Sequence, residues 1–295
     1  MSAGTLFVVA TPIGNLDDLS TRARDVLAGV DLVAAEDTRV TGRLLSHLAI
    51  RVKQVSLHDY NEETRSASLI EHLNSGKSLA IVSDAGTPLI SDPGYRLIQL
   101  AHAAGITVSP VPGPSAAIAA LSAAGLPTDR FAFEGFLPSK ASARRKRLER
   151  LADQTQTLVF FESVHRIAAT LDDMVGAFGA AREAFIGREL TKRHEQCVAA
   201  DLAGLAAMLA DGRIPGKGEF VLVVGGQQPA DAAEDDVRGV ALLDALVAVM
   251  PGKQTVDIVT DIFGGSRKAW YQRMLDLKAD KSRCGMVEFC MIPAP

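Results

Sequence analysis

Short apolar runs alternate with amphipathic stretches through the first three quarters of the chain, and glycine and proline gather where the runs end. This alternation restricts the fold more than any other feature. Residues 5–10, 32–35, 79–82 and 107–111 have the pattern of strands buried on both faces of a sheet. Between them, apolar residues recur at helical spacing over 17–27, 39–47, 64–74 and 95–104, the last two closing near Gly76 and Gly105. Strand–helix–strand order predicts an α/β domain over residues 1–125. A second set follows, with strands at 130–134, 157–161, 183–188 and 219–224 and helices at 141–151, 164–175 and 202–209. It predicts a second α/β domain over 126–228, hinged at Gly125-Leu126-Pro127-Thr128. Two such domains leave a cleft, a common place for a ligand.

Residues 229–236 have linker composition. A small helical domain is predicted over 237–280. Leu242, Leu243, Leu246, Val247 and Met250 form one stripe, and a second helix spans 255–263. The turn is Gly264-Gly265, and a third helix begins at Ser266 with Trp270, Met274 and Leu277 inward. Helix–glycine turn–helix resembles a helix-turn-helix, and a three-helix packing cap fits the same pattern. Residues 281–295 read as an irregular tail.

Three cysteines, odd in number and without a CxxC pair, argue against a disulfide framework, and no histidine spacing suggests a metal. No stretch reaches the ~18 apolar residues of a membrane span, so the expectation is a cytoplasmic protein with no membrane association. A net charge of −4 argues against a general nucleic-acid binder. The charge is uneven, however. Lys140, Arg144, Arg145, Lys146, Arg147 and Arg150 stand against Glu149 alone, and eight Lys/Arg against six Asp/Glu follow Val237. Such a run can attract phosphate even on an acidic protein, or it can be a solvated helix face.

Dinucleotide and P-loop glycine signatures are missing. Instead, loops rich in Gly and Pro close predicted strands: Thr11-Pro12-Ile13-Gly14-Asn15, Ser83-Asp84-Ala85-Gly86-Thr87-Pro88 through Gly94, and Pro112-Gly113-Pro114-Ser115-Ala116. Glycine lets a ligand approach the main chain, and the carboxyl ends of strands are where α/β sheets bind ligands.

The segments TPIGNLDDLSTRA, AAEDTR, LHDYNE, VSDAGTPLISDPG, PGPSAAIAALSAAGLPTDRF, FEGFLPSK, FFESVHR and RELTKRHE resemble the ribosomal RNA small-subunit methyltransferase I family of the tetrapyrrole methylases. The resemblance runs from Thr5 to about Gly226. It implies a homodimer of chains with two α/β domains and S-adenosylmethionine in the cleft. The implied reaction is methyl transfer to a cytidine 2′-hydroxyl in the decoding region of 16S rRNA, in the 30S subunit. Asp84, Ala85 and Gly86 would then receive the methionine part of the cofactor, with Ser115 and Ala116 beside them. Phe161, Leu190 and Gly218 would enclose the adenosine, and Pro12, Ser83, Thr87, Leu89 and Ile90 complete the cofactor set. Tetrapyrrole-acting relatives carry a more glycine-rich first loop, so TPIGN favours the RNA branch. Tyr60 departs from the family's HDHNE pattern.

A sugar hydroxyl is a weak acid, so a base or a cationic neighbour would help the transfer. Candidates are Glu36 and Arg39, His58, Glu162 and His165, Arg188, Glu189 and Lys192, and Lys217 and Glu219. Each also has a plain structural use, as a cap, a satisfied loop histidine or an ion pair. Phosphate contact falls to Lys140, Arg144, Arg145, Lys146, Arg147, Lys217, Arg267 and Lys268. The alternatives are a precorrin-type C-methyltransferase and a non-catalytic RNA-binding assembly factor.

Overall fold

The computed structural model describes residues 3–227 and 230–284, which fall into a body within 1–227 and a separate helical unit within 228–295. The body opens on a parallel sheet of β1 (Thr5–Val9), β2 (Leu32–Ala35), β3 (Lys53–Ser56), β4 (Leu79–Val82) and β5 (Thr107–Val111), in the order β3-β2-β4-β1-β5. Strand side chains alternate between faces. Leu6, Ala34 and Ile81 therefore pack on Leu69 and Leu97 of α3 (Glu62–Asn74) and α4 (Tyr95–Ala103). Val9, Val33 and Val82 pack on Leu27 and Leu45 of α1 (Thr21–Gly29) and α2 (Thr38–His47). The helical pattern over 17–27 is divided: a short 3-10 turn, Leu16–Asp18, precedes α1, which starts where the Ser20 hydroxyl accepts from the N–H of Ala23 at 3.0 Å.

α5 (Ala116–Ala123) then leaves the first sheet and covers the second. Its Ala117, Ala120 and Leu121 pack on Val159, Phe185, Val221 and Val223. The second sheet runs β6-β7-β10-β8-β9, with β6 (Phe131–Phe136) and β7 (Thr157–Glu162) parallel. β8 (Glu183–Arg188), β9 (Gln196–Asp201) and β10 (Phe220–Val224) join by antiparallel pairs. On its other face lie α6 (Ala141–Leu151), α7 (Ile167–Phe178) and α8 (Leu202–Ala210), around Leu148, Leu171 and Leu205. β3, α5 and β9 are elements that the apolar pattern does not announce. α7 starts at Ile167 rather than 164 because the Ser163–Arg166 turn is held by an Arg166–Glu162 ion pair at 2.7 Å.

The helical unit contains α9 (Ala230–Val247), α10 (Gly252–Phe263) and α11 (Arg267–Cys284). α9 takes in most of the stretch whose composition reads as a linker; its alanines and acids are compatible with helix, and polarity alone does not make a coil. Of the 281–295 tail, residues 281–284 continue α11 and the rest lies outside the described residues. Leu243, Val256, Val259, Trp270 and Met274 form the core of this unit, and the Trp270 indole N–H donates to the Gly264 carbonyl at 2.8 Å.

A Cβ on Gly239 would lie 2.5 Å from the Trp270 ring. Gly239→Ala should therefore loosen the core of the helical unit. Trp270 is the only tryptophan, so its emission should red-shift and the thermal midpoint read from that emission should fall. Emission and midpoint that both stay at the wild-type values would contradict the close packing of Gly239 on the indole.

Candidate functional site

The three glycine–proline loops meet. Thr11 and Gly86 exchange main-chain hydrogen bonds at 2.8 and 3.0 Å, and the Thr11 hydroxyl donates to the Ser83 carbonyl at 3.2 Å. The Thr87 hydroxyl donates to the Pro114 carbonyl at 3.0 Å and ties in the third loop. Gly86 has φ +89°, a region costly for a side chain. A Cβ there would stand 3.4 Å from Ile13 Cγ2 and 3.8 Å from the Pro114 carbonyl oxygen, so it would occupy the hollow between the loops. Leu89 and Ser91, further along, also hold positive φ, at 72° and 68°. Backbone strain of this kind gathers at ligand clamps.

The loops form one wall of a cavity of about 280 Å³, through Ile13, Ala85, Gly86, Thr87, Ile90, Ser115 and Ala116. The opposite wall comes from the second sheet, through Phe136, Phe161, Glu162, Ser163 and Glu219–Val221. α5 makes this meeting possible, because it starts at the third loop and packs on the sheet that carries Phe161. Phe161 is gripped edge-on by Phe133 and Phe136, with ring centroids 4.9 and 5.6 Å away.

The expected cofactor residues divide around this cavity. Ala85, Gly86, Thr87, Ile90, Ser115, Ala116 and Phe161 line it. Pro12, Ser83 and Asp84 line a second hollow of about 290 Å³, with Arg43 and Leu44 of α2. Leu190 is in the core under α5, and Gly218 abuts the Glu189 side chain. Leu89 packs toward Gly94. Residue type hides the contributions of Ile13, Phe136, Ser163 and Val221, which only the topology brings to the cleft.

Several candidate acids and bases are already committed. Glu162 is buried, with Oε1 accepting from the Ser163 N–H and from Arg166 at 2.7 Å, and Oε2 from the Thr170 hydroxyl at 2.7 Å. It lines the cavity as an anchor for the β7–α7 turn, and the expectation of a free base there is corrected. Arg188 is buried too; Nε donates to the Lys217 carbonyl at 2.6 Å and Nη1 to the His194 carbonyl at 2.9 Å, so it fastens two loops rather than facing the cleft. Arg39 is ion-paired with Asp37, which caps α2. Asn61 holds His58, accepting from its N–H at 2.9 Å and contacting Nε2 at 3.1 Å. His165 is exposed.

Glu189, Lys192 and Glu219 make a knot at the rim. Lys192 bonds Glu189 and Glu219, each at 3.0 Å. Burial opposes the Lys192 charge, but the two carboxylates outweigh it and hold its pKa above the ordinary value. Burial would likewise raise Glu189, yet the Glu219 N–H and Lys192 bring it below. Glu219 lines the cavity with its side chain 79% exposed, the one candidate carboxylate that does both.

Of the basic run on α6, Arg144 is turned inward and bonded to Asp173 of α7 at 2.7 Å. Helical spacing puts it on the buried face with Leu148 and Leu151, which corrects its assignment to phosphate. Arg147 pairs with Glu134 while remaining half-exposed. Lys140, Arg145, Lys146 and Arg150 are exposed, as are Lys217 and Lys268, and Arg267 pairs with Asp257 at 2.6 Å.

An acidic group lies beside the loops. The N–H of Asp84 donates to Glu36 at 3.2 Å and that of Asp37 to Asp84 at 3.0 Å. Burial first, and then its acidic neighbours, raises Glu36, and Asp84 is raised chiefly by burial. Asp92 is pushed up to about 6 by burial and by the charges of Glu36, Asp84 and Asp59, against the Ser83 hydroxyl.

A fold with two sheets and a loop-lined cleft between them defines a class. The model of Tetrapyrrole (Corrin/Porphyrin) Methylases matches residues 5–206, and that of the RsmI C-terminal HTH domain matches 231–278. The uroporphyrin-III C-methyltransferase of Thermus thermophilus, solved in complex with S-adenosyl homocysteine, has the same fold. It superposes at a TM-score of 0.53 and 20% identity, over 75% of this chain and 97% of that one. Ribosomal RNA small subunit methyltransferase I of Xylella fastidiosa (strain Temecula1) is 50% identical, over 91% of this chain and 98% of its own. That of Pseudomonas aeruginosa is 48% identical, over 93% and 98%. The chain belongs to the ribosomal RNA small subunit methyltransferase I family, within the tetrapyrrole methylases.

A carboxyl whose folded pKa lies above its unfolded one favours folding when protonated. The Asp92 contribution is therefore most favourable at low pH and is lost as pH rises through about 6. Asp92→Asn should raise Tm at pH 8 by about 2 °C and lessen the fall in Tm between pH 5 and 7. An unchanged slope would contradict the burial of this carboxyl.

Proposed function

We propose that the chain transfers a methyl group from S-adenosylmethionine to RNA of the small ribosomal subunit. The acceptor in this reading is the ribose 2′-hydroxyl of a cytidine in the decoding region of 16S rRNA. The enzyme acts in the cytoplasm as a homodimer, on 30S particles. One observation carries the reading: identity of 48–50%, sustained over more than nine tenths of the chain, to relatives named for small-subunit rRNA methylation. Among the described residues, no helix is long and apolar enough to cross a membrane.

The cleft suits the cofactor. The main chain around Ala85–Thr87, with Ser115 and Ala116, would hold the methionine part in the hollow that a Cβ on Gly86 would fill. Phe161 and Val221 supply apolar walls for the adenosine. S-adenosylmethionine brings a methyl group on a cationic sulfur, already primed for displacement. The protein's task is then chiefly to bring the hydroxyl into line and keep water out, and positioning of this kind can supply much of the rate. Glu219 is the group we assign to take the hydroxyl proton, with Lys192 steadying its charge. Lys140, Arg145 and Lys146 on α6, Lys217 in the loop before β10, and Arg267 and Lys268 in the helical unit offer cations to phosphate.

The acceptor atom can be read directly. A methylated 2′-oxygen cannot attack its neighbouring phosphodiester in alkali. Purified protein, labelled cofactor and small subunits lacking the modification should yield one labelled, alkali-resistant dinucleotide. Label on a free base would contradict the ribose assignment, and label entering only a corrinoid would contradict the RNA reading.

A further inference from the structure

The rim of the cleft carries an aromatic ring that the cofactor alone does not account for. Phe136 lines the cavity yet is 56% exposed. Its position there depends on an irregularity in β6. Phe133 stands opposite Val159, but the next pairs are Gly135 with Phe160 and Phe136 with Phe161, so Glu134 is an extra residue in the strand. Regular alternation would place Phe136 with Phe160 on the α6 side of the sheet. A bulge shifts every following side chain to the other face. Phe136 is thereby turned to the cleft beside Phe161, while Glu134 goes to Arg147 of α6. Gly135 supplies the left-handed turn, with φ +62°, and a Cβ there would meet the Ser91 hydroxyl at 3.1 Å. Ser91 follows Ile90, a second exposed apolar side chain lining the same cavity. The loop of the first sheet and the bulge of the second thus build one rim, with an aromatic ring and an aliphatic side chain set on it.

A large ring left 56% exposed buries only part of its apolar surface, so packing on Phe161 alone does not account for its place on the rim. The ring's edge-to-face contact with Phe161, at 5.6 Å and 63°, fixes its orientation. Phe161 lies deeper, on the inner strand β7, whereas Phe136 is on the edge strand β6. The deeper ring suits the cofactor, and the outer one suits the second reactant.

We propose that Phe136 is the platform on which the base of the acceptor nucleotide stacks, so that the nucleotide enters the cleft unstacked from its neighbours in the RNA. This rests on the reading of the chain as an RNA methyltransferase. Proteins recognise single-stranded RNA by stacking splayed bases on aromatic rings, and the contact tolerates any base. Phe136 accordingly holds the nucleotide in place and leaves the choice of base to other groups.

The test compares full-length Phe136→Ala, Phe136→Leu and Phe136→Tyr with wild type. Calorimetry with S-adenosylhomocysteine should give affinities within about twofold of wild type in the Leu and Tyr variants, which keep a large apolar side chain against Phe161. Steady-state methyl transfer to small subunits lacking the modification should lose about 10- to 100-fold in kcat/KM in the Ala and Leu variants. The Tyr variant, which keeps the ring, should stay within about threefold. Equal activity of Leu and Tyr variants would overturn the proposal. So would lost cofactor affinity or an altered oligomeric state in Phe136→Leu, because the ring would then serve another contact. Wild-type protein that methylates no small-subunit RNA overturns the functional reading and this proposal with it. An active wild type with an equally active Leu variant overturns the proposal alone.

Discussion

The paired main-chain hydrogen bonds between Thr11 and Gly86 are the constraint on which the site depends. They join the loop after β1 to the loop after β4, the neighbouring strand of the sheet, and the Thr87 hydroxyl adds the loop after β5. Loops at strand ends are ordinarily the most mobile part of an α/β domain. Here they brace one another, so the hollow around Gly86 is formed before any ligand arrives. The third loop also launches α5 onto the second sheet, and that crossing brings Phe161 and Val221 to face the cradle. Main-chain bonding and one helix thus create a two-walled cleft from two separate sheets.

Charge in the body follows a consistent division. The deeply buried ions near the cleft, Glu162 and Arg188, are saturated by local donors and acceptors and serve as fasteners. An uncompensated buried charge would be costly, and full hydrogen bonding is what makes these tolerable. The Glu189–Lys192–Glu219 knot is at the rim, where Glu219 remains exposed, and the acidic group around Asp92 lies beside the loops. The chemistry assigned to the cleft asks for little more, because most of the work is alignment.

What the sequence made legible follows from how each segment is buried. β2 and β4 are buried at every position, and a wholly apolar run has a plain reading. β3, Lys-Gln-Val-Ser at the sheet edge, has no such run, and β9 alternates on an exposed edge with small residues. α5 escapes because Ala116–Ala123 is almost uniformly small and apolar, with no polar face to reveal a helical period. Within the site, glycine and proline pointed to loops open to the approach of a ligand, and three of these loops are brought together by hydrogen bonds that residue type does not show. Residue type misled for Glu162, Arg144 and Arg188, whose roles depend on partners distant in sequence. Phe136 did leave a trace: Phe131-Ala132-Phe133 alternates, and the one extra residue, Glu134, followed by Gly135, puts the next Phe out of step with that alternation. An interruption with glycine inside a strand pattern is the signature of a bulge.

The central claim is that the braced loops and the second-sheet wall together form a ready-made cofactor cleft. A crystal structure of the full chain with S-adenosylhomocysteine tests it most directly. The account predicts the homocysteine half against the main chain of residues 84–87 and 115–116, the adenosine beside Phe161, and the Thr11–Gly86 pair intact in both free and bound forms. A ligand seated in the hollow beside Pro12 and Arg43, or loops that separate to admit it, would contradict the account.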